Sequence, residues 1–112
     1  MNKDTTPALP DAVTRYFEAA NRFDADAAAA CFATDATVRD EGQTHVGTSS
    51  IRNWIAHTTE KYQPKTSVIG AREEGDKTAV TARVTGQFPG SPAELGFGFV
   101  LRGGKIAELT IG

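Results

Sequence analysis

Asp40 interrupts the apolar face of a predicted strand. In the segment 36–41, an alternation of period two places Ala36, Val38 and Asp40 on one face. The apolar face therefore ends in a carboxylate, which is costly to bury unpaired and is expected to have a raised pKa. Such a group suits a general base that accepts a proton near neutral pH. The alternative is a strand-end aspartate that caps a neighbouring loop in solvent.

Tyr16 is the second candidate, and it lies on the apolar face of the first predicted helix. Pro10 and Asp11 favour a helix start, because proline suits the first turn and an acidic side chain complements the positive end of the helix dipole. We predict that this helix runs to about Arg22. Its buried stripe consists of Val13, Tyr16, Phe17 and Ala20. The Tyr16 hydroxyl either orients a ligand oxygen or hydrogen-bonds a backbone group in the core.

An alanine-rich segment predicts a second helix, from Ala25 to Phe32, with Asp24 as its cap. This helix would carry Cys31 inward. No base is arranged to activate this single cysteine, so a buried apolar role is expected rather than that of a nucleophile.

A third helix is predicted from Thr48, its expected N-cap, to about Tyr62, and Pro64 stops it. Its apolar face consists of Ile51, Trp54, Ile55 and Thr58. Residues 42–45, which precede this helix, are interpreted as a polar connection. His45 within it could pair with Asp40 or with nothing.

From Thr66 onward the pattern predicts four antiparallel strands, with turns at 74–76, 89–92 and 102–104. The last strand runs from Lys105 to Ile111. Alternating apolar positions in the two middle strands are Val80, Ala82 and Val84, then Leu95, Phe97, Phe99 and Leu101. Three helices packed on a bent antiparallel or mixed sheet form an α+β fold that can enclose a cavity between its layers.

Four aromatic side chains could line an apolar pocket beside Asp40, namely Trp54, Phe88, Phe97 and Phe99. Aromatic residues at helical or strand spacing also fill ordinary cores, so some of the four are expected to be core residues. The expected partner of such a pocket is a small hydrophobic molecule.

Length and composition exclude several classes of function. The 112 residues predict a single domain over 1–112, with a flexible leader at 1–8. A net charge of -2 without a basic stripe argues against nucleic acid, and no apolar run long enough to span a membrane is present. Asp40 and Glu41 point to opposite faces if the strand continues, so no metal site with His45 is expected. We expect a cytoplasmic protein that uses no cofactor.

The order of helices and strands from about Pro10 to Ile111 resembles the cone-shaped fold of the nuclear transport factor 2-like superfamily, which includes SnoaL-like polyketide cyclases. The local sequence is most similar to bacterial ketosteroid isomerases. The matching residues are Arg15-Tyr16, Asn21, Asp24, Asp26, Phe32-Ala33, Asp35-Ala36-Thr37-Val38, Asp40, Gly47-Thr48 and Ile51-Arg52.

The resemblance implies roles for two residues and departs at a third. In those isomerases, an aspartate at the place of Asp40 shuttles a proton, and a tyrosine at the place of Tyr16 hydrogen-bonds the developing oxyanion. Counting from the turn before Lys105, Phe97 occupies the position of a second, protonated aspartate, and a phenyl ring cannot donate its hydrogen bond. The family commonly pairs through the open sheet face, which implies a homodimer.

Two functions remain open from the sequence. The first is a small enzyme that uses Asp40 for proton transfer on a hydrophobic substrate while Tyr16 polarises the substrate oxygen. Its reaction could be isomerisation, cyclisation, dehydration or hydrolysis. The second is a noncatalytic ligand-binding or dimerisation module of the same fold.

Overall fold

The computed structural model describes residues 9–112, and the leader predicted at 1–8 lies outside them. Residues 9–112 form three helices and six strands, in the order two helices, two strands, one helix and four strands. They are α1 (Asp11–Asn21), α2 (Ala25–Ala29), β1 (Phe32–Asp40), β2 (Gln43–Val46), α3 (Thr48–Tyr62), β3 (Lys65–Glu74), β4 (Lys77–Thr85), β5 (Ala93–Arg102) and β6 (Lys105–Ile111). None of the helices within residues 9–112 combines the length and the apolar character needed to cross a membrane.

The six strands form one mixed sheet in the order β2-β1-β6-β5-β4-β3. The β1–β6 pair is parallel, and the other neighbours are antiparallel. Register shifts interrupt the β1–β6, β3–β4 and β5–β6 ladders, and such irregularities bend a sheet. Helices α1 and α3 lie on this sheet. The prediction of three helices packed on a bent, mixed sheet is therefore confirmed.

An aromatic cluster joins α1 to the sheet. The Tyr16 ring centroid lies 5.6 Å from that of Phe32 and 5.9 Å from that of Phe99. Phe17 packs edge-on against Phe97 at 5.3 Å. All five side chains are buried. For the four on α1 and β5, burial follows from the predicted i, i+3, i+4 spacing and from the strand alternation.

Three local predictions are wrong. Residues 43–46 form strand β2 instead of a polar connection, because φ angles of 54° at Glu41 and 75° at Gly42 make a tight two-residue hairpin turn. Helix α2 ends at Ala29, and Phe32 already belongs to β1, where its ring completes the aromatic cluster. Gly47 is the residue before α3, and Thr48 is within the helix without a capping hydrogen bond.

Candidate active site

A cavity of about 720 Å³ lies between the helices and the concave side of the sheet. Its lining is mostly apolar and comes from α1, α3, the β1–β2 turn and the strands β1, β3, β4, β5 and β6. This volume is within the range of sites that bind small molecules, roughly 300–1,000 Å³. Asp40 and Tyr16 both line this cavity. The fold therefore brings together the two residues that the sequence singled out.

Asp40 is the last residue of β1 and is half-buried at the cavity wall. The indole Nε1–H of Trp54, on α3, donates a hydrogen bond of 3.1 Å to its Oδ2 atom. Burial raises the pKa of the Asp40 carboxyl above its ordinary value, and the neighbouring Glu41 carboxylate raises it further. The Trp54 hydrogen bond and His45 act in the opposite direction. Asp40 is thus a fixed carboxylate with an increased affinity for a proton.

Tyr16 is buried at the inner part of the cavity, where only 6% of its surface is exposed. Burial raises the pKa of the Tyr16 phenol, and the nearby charge of Asp40 raises it further. The hydroxyl therefore keeps its proton at neutral pH and can donate it to an oxygen in the cavity.

Trp54 also contacts His45, which lies on β2. The two rings stack with centroids 5.9 Å apart and an angle of 28° between their planes. His45 pairs with Val38 across the β1–β2 ladder, so its side chain shares the inner face with Asp40. Within the described chain, no group of three His, Cys, Asp or Glu residues could hold a metal ion.

Three of the four predicted pocket aromatics line the cavity, namely Trp54, Phe88 and Phe97. Phe99 does not, because its side chain is fully buried against α1. The strand alternation places Phe97 and Phe99 on the same face, but of the two only Phe97 lines the cavity. The prediction that Phe99 lines the pocket is therefore wrong.

A family model described as the SnoaL-like domain matches residues 13–109. The chain belongs to this family. A search of curated proteins found no significant match to the sequence.

Solved structures place this SnoaL-like domain among proteins of similar fold. A protein from Sinorhizobium meliloti, named a "putative polyketide cyclase", is 39% identical, with a TM-score of 0.89, and the match covers 93% of this chain and 95% of that one. A Catenulispora acidiphila protein with a ketosteroid isomerase-like fold is 24% identical, with a TM-score of 0.82, over 94% of this chain and 86% of that one. The second similarity shows the fold alone. Together with the match to the SnoaL-like family model, these structures confirm the predicted nuclear transport factor 2-like superfamily.

Two polar residues of the SnoaL-like domain were missed by the sequence reasoning. Glu41 and Tyr62 both line the cavity, and the Tyr62 hydroxyl donates a 3.3 Å hydrogen bond to Glu41 Oε2. The alternation of β1 predicts that Glu41 points away from Asp40, but the strand ends at Asp40 and the positive φ of Glu41 redirects the chain. The Glu41-Gly42 pair itself was the available signal, since a glycine after a polar residue is typical of a hairpin turn.

Proposed function

We propose that this protein is an acid–base enzyme that forms an enolate from a small hydrophobic carbonyl compound. The observation that carries the proposal is that Asp40 and Tyr16 line one predominantly apolar cavity. Asp40 supplies the base, and its raised pKa suits proton abstraction from carbon. Tyr16 supplies a hydrogen-bond donor for the oxygen that becomes negatively charged.

In the proposed step, the Asp40 carboxylate removes a proton from a carbon beside the carbonyl. The C–H electron pair becomes the enolate, whose negative oxygen accepts a hydrogen bond from Tyr16. The enolate carbon then attacks a second carbonyl of the same molecule, which closes a ring, and the acidic form of Asp40 returns a proton to the product oxygen. Cyclisation is the favoured outcome because the 39% identical relative from Sinorhizobium meliloti is named for that reaction.

The nature of Phe97 narrows the substrate class. Phe97 lines the same cavity and cannot donate a hydrogen bond, so Tyr16 is the candidate oxyanion donor. Losing one such donor costs about 2.7–4 kcal/mol of transition-state stabilisation. A substrate whose C–H bond is already acidified by a second group needs less stabilisation. We therefore expect the reacting carbon to be flanked by the carbonyl and by another activating group, such as an aromatic ring or a second carbonyl.

A model substrate tests the proton-transfer step without knowledge of the natural substrate. The C1 protons of 2-tetralone are flanked by a carbonyl and an aromatic ring, and their exchange for deuterium can be followed by NMR. We expect the protein to accelerate this exchange and Asp40→Asn to slow the catalysed rate by about 10²–10⁴-fold. Tyr16→Phe should slow it by about 10²–10³-fold.

Asp76→Asn is the matched control, because Asp76 is exposed in the β3–β4 turn and does not line the cavity. It should exchange 2-tetralone protons at the wild-type rate. Undiminished exchange in Asp40→Asn would eliminate Asp40 as the base. Binding of 2-tetralone without any acceleration of exchange would favour a noncatalytic ligand-binding module.

A further inference from the structure

The outer end of the cavity is formed by a second polar pair, Glu41 and Tyr62. Glu41 is exposed and follows Asp40 directly, whereas Tyr16 and Trp54 are buried. The polar residues of the lining therefore range from the buried Tyr16, through the half-buried Asp40, to the exposed Glu41. A substrate that fills the cavity from Tyr16 to its exposed side therefore contacts Glu41 and Tyr62.

Contacts from three elements hold this pair in place. Tyr62 is the last residue of α3, and its hydroxyl donates to Glu41 Oε2, in the β1–β2 turn, at 3.3 Å. Its ring packs edge-on against Phe88, between β4 and β5, at 5.9 Å and an angle of 83°. The Glu41 backbone has a φ of 54°, a conformation uncommon for a glutamate. The carboxylate is therefore positioned across the cavity opening by the turn and by Tyr62.

The charges of the cavity are all of one sign. Within the described residues, the lining includes two acidic side chains, Asp40 and Glu41, and no lysine, arginine or histidine. Lys61 Nζ lies 5.1 Å from the Tyr62 ring centroid, but Lys61 is exposed and outside the lining. A cleft with apolar walls and charges of one sign concentrates their field and repels ligands of the same sign.

We propose that Glu41 and Tyr62 bind a hydrogen-bond donor, a hydroxyl or an ammonium, at the outer end of the substrate, and that the cavity excludes anions. The Glu41 carboxylate accepts from the donor, and the Tyr62 hydroxyl can accept from it or donate to its oxygen. This assignment rests on the proposed function, because it assumes that the substrate reacts between Asp40 and Tyr16. Its test measures binding alone.

Three naphthalene ligands of nearly equal size separate charge from shape, namely 2-naphthylmethylammonium, 2-naphthalenemethanol and 2-naphthoate. The chain has a single tryptophan, Trp54, so its indole N–H gives one NMR signal that reports on the cavity during titration at pH 7. We expect the ammonium to bind at least as tightly as the alcohol, and both to bind at least tenfold more tightly than the carboxylate.

Glu41→Gln should reduce the affinity for the ammonium by about tenfold or more, because a hydrogen bond to a charged group is lost. It should reduce the affinity for the alcohol less. It should also bring the affinity for the carboxylate closer to the affinities for the other two ligands. Glu60→Gln is the matched control, since Glu60 is an exposed glutamate of α3 that lies outside the cavity. Glu60→Gln should preserve the wild-type order.

Binding of 2-naphthoate as tight as that of the alcohol, or an order unchanged by Glu41→Gln, would overturn the assignment. So would the absence of binding by all three ligands. These results are distinguishable from failure of the proposed catalysis. If the ligands bind in the expected order of affinity but 2-tetralone protons are not exchanged, the Glu41–Tyr62 site is supported and the Asp40 mechanism is not. If the protons are exchanged but the three ligands bind equally well, the Asp40 mechanism is supported and the Glu41–Tyr62 site is not.

Discussion

The carboxyl group of Asp40 is subject to opposing influences on its pKa. Burial in the apolar wall and the charge of Glu41 raise this pKa, whereas the Trp54 hydrogen bond and His45 lower it. A base needs both kinds of influence, because a carboxylate must be basic enough to take a proton and still be ionised at working pH. Trp54 acts through Asp40 and is therefore a positioning residue in the proposed reaction.

Trp54→Phe should move the acid limb of the pH–rate profile for 2-tetralone exchange to higher pH. Phenylalanine keeps an aromatic ring beside His45 but lacks the N–H that donates to Asp40 Oδ2. Without that donor, the ionised carboxylate loses a stabilising hydrogen bond, so the pKa of Asp40 rises. A rate profile measured from acid to neutral pH checks the shift. A slower reaction with an unmoved acid limb would reduce Trp54 to a packing role.

At the scale of elements, the spacing of apolar residues predicted which helix and strand faces are buried, but it did not predict the β1–β2 hairpin. The buried stripes of α1 and α3 and the strands with apolar alternation follow from the sequence, because burial selects apolar residues at regular spacing. Strand β2 has no such pattern. Its four residues, 43–46, are polar or exposed, and Val46 is 59% exposed. The position of β2 is set by its pairing with β1 and by the two-residue turn. Neither of these requires an apolar alternation in the sequence.

The same limit applies to the candidate site. Asp40 could be predicted because it interrupts a regular apolar alternation. Tyr16 could be predicted because it lies within the apolar stripe of a helix. Phe99 was misassigned because alternation gives the face of a strand but not which part of that face a helix covers. Glu41 was missed because its orientation depends on a positive φ angle, which local patterns seldom predict for glutamate.

Gly86 joins the end of α3 to the sheet through a close approach that a side chain would obstruct. A Cβ atom at this position would lie 2.7 Å from the carbonyl oxygen of Tyr62, which also accepts a hydrogen bond from the Gln87 backbone N–H. Gly86→Ala should therefore displace the last turn of α3 and lower the free energy of unfolding by about 1–3 kcal/mol. Urea unfolding measures the loss.

Gly70→Ala is the control for this substitution. No atom lies within 4 Å of a Cβ atom added at Gly70, in β3. The free energy of unfolding should change by less than about 1 kcal/mol, with a gain possible from the reduced freedom of the unfolded chain. Equal losses in the two variants would show that the contact with Tyr62 is not the cause.

For the whole molecule, the features that the proposed function requires reduce the stability of the fold. The aromatic cluster around Tyr16, Phe17 and Phe99 fills one part of the space between helices and sheet, and the cavity occupies another. A half-buried carboxylate at the cavity wall is unfavourable for folding, as the raised pKa of Asp40 indicates. Residues kept for chemistry commonly reduce stability in this way.

Asp40→Asn should therefore stabilise the protein at neutral pH while abolishing proton transfer. Burial raises the pKa of Asp40 in the folded state, so the folded protein binds this proton more tightly than the unfolded chain. The stability that this tighter proton binding contributes is fully present below the pKa of Asp40 in the unfolded chain. It is lost as pH rises through the pKa of Asp40 in the folded protein. Asparagine has no such titration, and its carbonyl oxygen can still accept from Trp54.

The free energy of unfolding should then exceed that of the wild type by on the order of 1 kcal/mol at pH 7, as for other stabilising substitutions at functional sites. The advantage should shrink as pH falls below the folded pKa of Asp40, because the wild-type carboxyl is then neutral as well. Urea unfolding of both proteins across this pH range measures the difference, with Asp76→Asn as the control. A difference independent of pH, or one that grows toward acid, would mean that the Asp40 charge is not what destabilises the fold.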